Sequence, residues 1–424
     1  MTMLVLLVGT NPLPNYVVAR YLLMNSDAPD SILLVHTGET SVVATRIEDA
    51  INTIARGQAP PITRLPLSSN AALDGDQLYH EVLAHMETVS GDMHLNYTGG
   101  RKPMAVHAYR AAENLDSGVP LFSYLNPQSF QLRYDGGNFA PRTGDMRHEV
   151  TLDLVTLLKL HGCTFVSEEQ REYHRTADWL LTLACKKPKR KEGAAPPHFE
   201  DFRTWKTRLR PERGKWAGVT INTPPWPTTE NGAGFEPLAS AIQQDFNLPS
   251  SCTWNSLDDD QRTTIGEFLD GKWLEQVVAK KLSQYVNDAS YLSPPITSCH
   301  RNVKAMREPR DERASRYAPE LDVVVMRGYE LVLLSCTTAG YGQWEYNRDI
   351  IKSKAFEALH RATQFGGEEA QAVLVTPCEP EMARRLMEDL ENDFAAGRPK
   401  LSILDRTHLN GFAHAFKAAI NPRP

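Results

Sequence analysis

Two short stretches carry residue types suited to holding negative charge. The first is His94-Leu95-Asn96-Tyr97-Thr98-Gly99-Gly100-Arg101-Lys102-Pro103-Met104. Adjacent glycines let a backbone turn tightly and let a ligand come close, because no Cβ intervenes. Pro103 suits the first turn of a helix, where a missing N–H is no loss. Free backbone N–H groups at a helix start, with Arg101 and Lys102 beside them, make a site for phosphate. The second stretch is Gly9-Thr10-Asn11-Pro12-Leu13-Pro14-Asn15, directly after an apolar run. G-x-G-x-x-G and G-x-x-x-x-G-K-[ST] spacings are both absent, so neither stretch is a dinucleotide fingerprint or a Walker A loop.

These stretches need elements to position them. Met3–Val8 is continuously apolar, as in a strand buried on both faces. Tyr16–Met24 has helical spacing, Ser31–His36 is a second strand and Val42–Arg56 a second helix. Ile62–Leu65, Leu73–Thr88, Met93–Asn96, Pro103–Leu115 and Pro120–Tyr124 continue the alternation of strand and helix. That alternation predicts an α/β fold with a mostly parallel sheet and helices on both faces. Ligands of such sheets sit at the carboxyl ends of the strands. Both glycine-bearing turns follow strands and therefore belong on one edge.

The middle of the chain says less. Phe130–Tyr134 before Asp135-Gly136-Gly137 reads as a hairpin or edge strand, and Glu149–Leu160 and Glu168–Leu183 read as helices. The basic run Lys186–Lys191 fits a solvated loop better than a nucleic-acid patch, because Pro188 and Gly193–Pro197 mark a linker, and Trp205–Arg213 adds further basic and aromatic residues. Thr223–Pro227 and Asn231–Gly234 are irregular. Further on, Thr263–Asn287 is a long helix with one apolar face, and Glu275 lies beside that face. Glu320–Arg327 and Glu330–Cys336 are strands joined by Gly328-Tyr329, followed by a helix over Asn347–Phe365 and a strand over Ala370–Val375.

Composition bounds the functions open to the chain. Its 424 residues suffice for two or three domains. The formal charge of −6 excludes a uniformly basic surface. No run approaches the ~20 apolar residues of a membrane span. Met3–Val8 lacks the basic flank and cleavage site of a signal peptide. The six cysteines have no C-x-x-C pair, which fits reduced thiols and a cytoplasmic protein. His107 and the Cys299-His300 pair fit packing roles.

Leu6–Asn15 together with Asn96–Met104 resembles a CARF domain, the CRISPR-associated Rossmann-like module. The family has Gly-Gly-Thr-Lys in the second motif, and Arg101 replaces that threonine here. The resemblance implies a homodimer that binds cyclic oligoadenylate across its two-fold axis. It implies that Gly9, Thr10, Asn11, Pro12 and Asn15, with Asn96, Thr98, Gly99, Gly100, Arg101, Lys102 and Met104, form the ligand site. A symmetric dimer best matches an even-numbered ring, cyclic tetra-adenylate first.

Gly271–Glu275, Leu321–Val325 and the helix before Gly366-Gly367 resemble the restriction-endonuclease-like, PD-(D/E)xK domain of the Card1/Can2 family. This divides the chain into a CARF domain over 1–145, a helical connector over 146–260 and a nuclease-like domain over 261–424. Active members carry an Asp on one strand and Glu-x-Lys on the next, with a divalent metal that activates water. Here Asp322 is present, but Ser335-Cys336-Thr337 stands where Glu-x-Lys is expected. Hydroxyls are poorer ligands than carboxylates for hard cations. Glu275, Asp322, Ser335 and Thr337 therefore mark a degenerate nuclease site, with Lys352 or Lys354 as replacement cations.

Three functions follow in order of expectation. The first is a ring nuclease that needs no metal or other cofactor, with Lys102, Arg101, Thr10 and Asn11 as its catalytic residues. The second is a ligand-activated nuclease of DNA or RNA that uses Mg²⁺ or Mn²⁺, in which case nucleic acid is also a partner. The third is a sensor without catalysis. No membrane partner is expected.

Overall fold

The structure, a computed structural model, describes residues 2–26, 28–54, 59–69, 74–88, 91–115, 120–135, 143–186, 198–209, 235–308, 319–339, 344–393 and 400–421. The Gly136-Gly137 pair, Lys187–Lys191, the 193–197 linker, 210–213, 223–227 and 231–234 lie outside them.

The first unit runs β1 (Thr2–Leu7), α1 (Leu13–Met24), β2 (Ser31–His36), α2 (Ser41–Ile54), β3 (Ile62–Pro66), α3 (Gly75–Met86), β4 (Asp92–Asn96), α4 (Lys102–Glu113), β5 (Leu121–Asn126) and β6 (Gln131–Asp135). Its six strands are ordered β3-β2-β1-β4-β5-β6. All pair in parallel except β6, which lies antiparallel on the edge. Successive β-strand side chains point to opposite faces, and β1 shows the consequence. Met3, Val5 and Leu7 pack under α3 and α4, while Leu4, Leu6 and Val8 pack on the opposite side with α1 and α2.

Next come α5 (Leu154–Leu160), β7 (Cys163–Ser167), α6 (His174–Ala184), α7 (Phe199–Leu209), α8 (Glu236–Asp245), α9 (Asp259–Glu267) and α10 (Trp273–Ser283). The chain ends with β8 (Ser298–Arg307), β9 (Glu320–Arg327), β10 (Glu330–Cys336), α11 (Trp344–Gly366), β11 (Gln371–Val375), α12 (Pro380–Asp393), β12 (Leu401–Leu404) and α13 (Phe412–Ile420). The second sheet is ordered β12-β11-β10-β9-β8-β7. It is antiparallel from β7 to β10 and parallel from β10 to β12.

The structure departs from the sequence-based expectation at several elements. β7, β8, β12 and α13 were not anticipated, and β7 draws the connector into the second sheet. The expected helix over 149–160 starts only at Leu154, where Asp153 caps it by accepting from Thr156 N–H. The helix expected from 168 starts at His174. The long helix over 263–287 is interrupted by a π-turn at Phe268–Lys272.

The two sheets share a core. Val324, Met326, Leu331 and Leu333 of the second sheet pack in the same cluster as Leu4, Leu6, Ile32 and Leu34 of the first, with helices α1, α2, α5 and α11 between them. Val323, Val325, Val332 and Leu334 point the other way, toward α6, α8, α10 and α13. This common layer brings the carboxyl edge of the first sheet against the end of α11. Among the described residues no helix is long and apolar enough to cross a membrane.

Candidate functional site

β1 and β4 are adjacent and in register, Leu6 opposite Asn96, so the turns that follow them meet. A Cβ at Gly9 would lie 3.0 Å from Gly100 N, and one at Gly99 would lie 2.1 Å from Leu7 O. Gly100 has φ +78°, in the left-handed region where a side chain is strained. The glycine pair thus serves two needs, close packing of the two turns and a left-handed step.

Buried polar groups hold this arrangement from below. Asn15 donates from Nδ2 to Leu7 O at 2.8 Å. Asn96 accepts from Thr98 N–H at 3.3 Å and donates to Ser123 Oγ at 3.0 Å. Ser123 Oγ is also 2.6 Å from His94 Nε2. Thr98 Oγ1 accepts from Leu125 N–H at 2.7 Å. Burial pushes the His94 imidazole down to about 4, so it is neutral in the folded protein at pH 7.

The residues singled out from the sequence divide by depth. Pro12, Asn15, Asn96 and Met104 are buried and shape the turns from within. Thr10, Arg101 and Lys102 are exposed, and Gly9, Asn11, Thr98, Gly99 and Gly100 are half-buried. The exposed groups lie at the start of α4, whose N-cap Arg101 supplies no side-chain acceptor to the first amides. Those amides and the helix dipole favour an anion. Arg101 is paired with Glu39. Asn11 is tied by Nδ2 to Glu369 Oε2 at 3.0 Å.

Glu39 was missed in the sequence, although Thr37–Thr40 follows β2 and so lies on the same edge as the two turns. The strand-end rule that selected those turns would have selected it also. Glu369 left no such signal, because it comes from the second unit.

A second cluster surrounds Asp322 on β9. Cys336 N–H donates to Asp322 Oδ2 at 2.7 Å and Ser335 Oγ at 3.1 Å. Thr337 Oγ1 accepts from Ala339 N–H at 3.2 Å. Glu275, on α10, lies near enough to feel the charge of Asp322. Burial first, and then the Asp322 and Glu320 carboxylates, push Glu275 well above the usual carboxylate range. Burial also raises Asp322, against the two hydrogen bonds it accepts.

The π-turn before α10 is anchored here. Thr338 Oγ1 donates to Asp270 O at 2.9 Å, and Lys206 Nζ lies 2.5 Å from Asp270 Oδ1. A cleft of about 190 Å³ opens beside Glu275, lined by Lys272, Arg301 and Asn302 among others. Lys352 turns to Asp393 at 2.7 Å and Lys354 to Glu357 at 2.8 Å. Among the described residues no group of three or more His, Cys, Asp or Glu side chains could hold a metal ion. Among the described residues, Glu275 and Asp322 are therefore not part of a three-ligand acidic group.

No family model matches the sequence, and no curated protein matches it. Two solved structures are similar over nearly the whole chain. Can2 from Sulfobacillus thermosulfidooxidans, solved in complex with cyclic tetra-adenylate, is 16% identical with a TM-score of 0.64, over 99% of this chain and 100% of that one. Protein VC1899 from Vibrio cholerae is 16% identical with a TM-score of 0.65, over 99% and 98% of the two chains. The fold is shared end to end. Both sheets and the connector between them fall within the likeness.

Proposed function

We propose that the protein binds cyclic oligoadenylate at the edge formed by residues 9–15 and 97–102, as a homodimer, and opens the ring without a metal. The observation that carries this reading is the meeting of the two turns. It leaves Thr10, Arg101, Lys102 and the uncapped start of α4 on one exposed edge. The shared fold with a protein solved with cyclic tetra-adenylate supports the choice of ligand.

The chemistry asks little of the protein. A ribose 2′-oxygen attacks the adjacent phosphorus and loses its proton to solvent. The bond from phosphorus to the 5′-oxygen breaks, and the 5′-oxygen takes up a proton. The products are a 2′,3′-cyclic phosphate and a 5′-hydroxyl. The protein must hold the 2′-oxygen in line and stabilise charge on the phosphoryl oxygens. Lys102 supplies charge directly. Arg101 does so after leaving Glu39, and the α4 amides add fixed donors.

Labelled cyclic tetra-adenylate incubated with the protein in EDTA tests this. Linear product ending in a 2′,3′-cyclic phosphate is expected. An intact ring after long incubation with excess protein overturns the catalytic part.

A second reading has its own observation. Asp322 is close enough to Glu275 to raise the cost of charging it, as in carboxylates positioned for a cation. A ligand-activated, metal-dependent nuclease built on this pair predicts cutting of single-stranded DNA or RNA only with both ring and Mn²⁺ or Mg²⁺, and its loss in Asp322→Ala.

A further inference from the structure

Asn11 belongs to the edge just described, yet its carboxamide is held by the second unit. Oδ1 accepts from Leu13 N–H at 3.1 Å, which fixes the start of α1. Nδ2 donates to Glu369 Oε2 at 3.0 Å, across 358 positions of sequence. Glu369 lies in the turn that ends α11 and is only 3% exposed. Gly367 in the same turn has φ +75°, and a Cβ there would lie 2.7 Å from Asn11 Oδ1. The close approach therefore depends on glycine at that position.

A buried carboxylate needs donors. Among the described residues, the Asn11 amide is the side-chain donor to Glu369. Burial raises the Glu369 pKa, with Glu368 adding to the rise, while the Asn11 bond and the Lys400 charge oppose it. Lys400 itself is bonded to the Glu368 carbonyl at 2.6 Å. The Tyr329 hydroxyl is another donor within the reach of Glu369's charge. It is fully buried, has no hydrogen-bond partner among the described residues, and is made harder to ionise by burial and then by Glu369. Tyr329 sits in the turn between β9 and β10, the hairpin that carries Asp322 and Ser335.

We propose that the Asn11–Glu369 hydrogen bond is the contact through which an anion at the first sheet's edge acts on α11 and the Asp322 hairpin. This rests on the reading of that edge as a cyclic-oligoadenylate site. A phosphate is an acceptor, so of the Asn11 carboxamide it can use only the N–H groups, and Glu369 holds one of them. A phosphate on the remaining N–H brings two anions to one amide, and they repel each other. That repulsion drives Glu369 off Asn11 and toward the buried Tyr329 hydroxyl, which has no hydrogen-bond partner among the described residues. The device thus has two positions, and ligand binding biases between them. The movement reaches Asp322 by two routes, through the β9–β10 turn and through α11. Lys354 and Arg361 of α11 place their charges on Asp322. Arg361 also donates to the Glu320 carbonyl, two residues before Asp322.

The test is hydrogen–deuterium exchange and ring binding on the full chain, with cyclic tetra-adenylate as probe. In the unmodified protein the ring is expected to change exchange in 360–372. Glu369→Gln keeps an acceptor for Asn11 but removes the charge. It is expected to bind the ring about 10-fold more tightly, within the usual range of coupling between sites, and to lose the change at 360–372. Tyr329→Phe removes the second position and is expected to bind the ring while losing the same change. Unaltered affinity together with an unaltered exchange response in Glu369→Gln overturns the inference while leaving the ligand site standing. Absence of ring binding by the unmodified protein overturns the ligand site, and the inference with it.

Discussion

Acid weakens this protein partly through one residue beneath the two meeting turns. His94 is neutral and buried, stacked 5.6 Å from Tyr134 and 2.6 Å from Ser123 Oγ. Its folded pKa falls from 6.5 to about 4 because burial opposes the charged form. The unfolded chain therefore binds this proton more readily than the folded one. The associated stability is present in full above 6.5 and is lost as pH falls toward about 4. At ~1.4 kcal/mol per pH unit across that window, the protein is about 2 kcal/mol less stable at pH 5 than at pH 7 on account of His94 alone. For a unit of 150–250 residues this is about 4–8 °C in melting temperature. Burial raises Glu275, Asp322 and Glu369, and these act in the opposite direction on acidification. The comparison is therefore between the unmodified protein and His94→Gln, melted by circular dichroism from pH 8 to pH 5. The variant is expected to melt lower at pH 8 and to lose less on acidification. Parallel curves for the two proteins refute the reasoning.

Gly99→Ala places a Cβ 2.1 Å from the Leu7 carbonyl, and such overpacking costs about 1–3 kcal/mol; a lowered urea midpoint and weakened ring binding are expected together. Glu275→Gln removes a carboxylate whose charge the fold disfavours, so thermal stability rises at pH 8 and is unchanged at pH 4, where the native carboxyl is protonated. A drop at pH 8 contradicts that assignment. The double change Ser335→Glu with Thr337→Lys supplies the acid and the cation missing beside Asp322. It is expected to show a melting temperature that rises with Mn²⁺ by several degrees while the unmodified protein shows little shift, read by scanning fluorimetry with and without EDTA.

The legible parts of the fold share one property. β1, β2, β9, β10 and β11 are apolar nearly throughout, because both faces of each strand are covered, and such runs stand out in a sequence. β8 does not, because Ser298–Arg307 mixes charges into a central strand. Arg301 is tolerated there because its guanidinium reaches Gln276 Oε1 at 3.1 Å and the Arg171 carbonyl, neither visible from local spacing. Asn302 takes a left-handed φ of +53°, which breaks the alternation. β12 is only four residues long.

The site divides in the same way. Gly99-Gly100 and Gly9 were legible because a tight turn demands glycine locally. The partners of Arg101 and Asn11, Glu39 and Glu369, lie 62 and 358 positions away. They are set by how strand ends and helix ends meet in three dimensions. That Ser335 and Thr337, and not an acid and a lysine, follow Asp322 on the next strand was legible because a strand fixes the spacing of successive side chains. The hydrogen bonds that Ser335 and Cys336 make to Asp322 were not.

The account turns on whether the edge between the two turns holds a cyclic oligoadenylate. Isothermal titration of cyclic tetra-adenylate into the full protein in EDTA, repeated with Lys102→Ala, asks this directly. The expected result is one ring per two chains. Loss of one charged contact per chain at ~1.5 kcal/mol or more each weakens Lys102→Ala roughly 100-fold or more. No heat of binding, or a ring bound equally well by Lys102→Ala, contradicts the account.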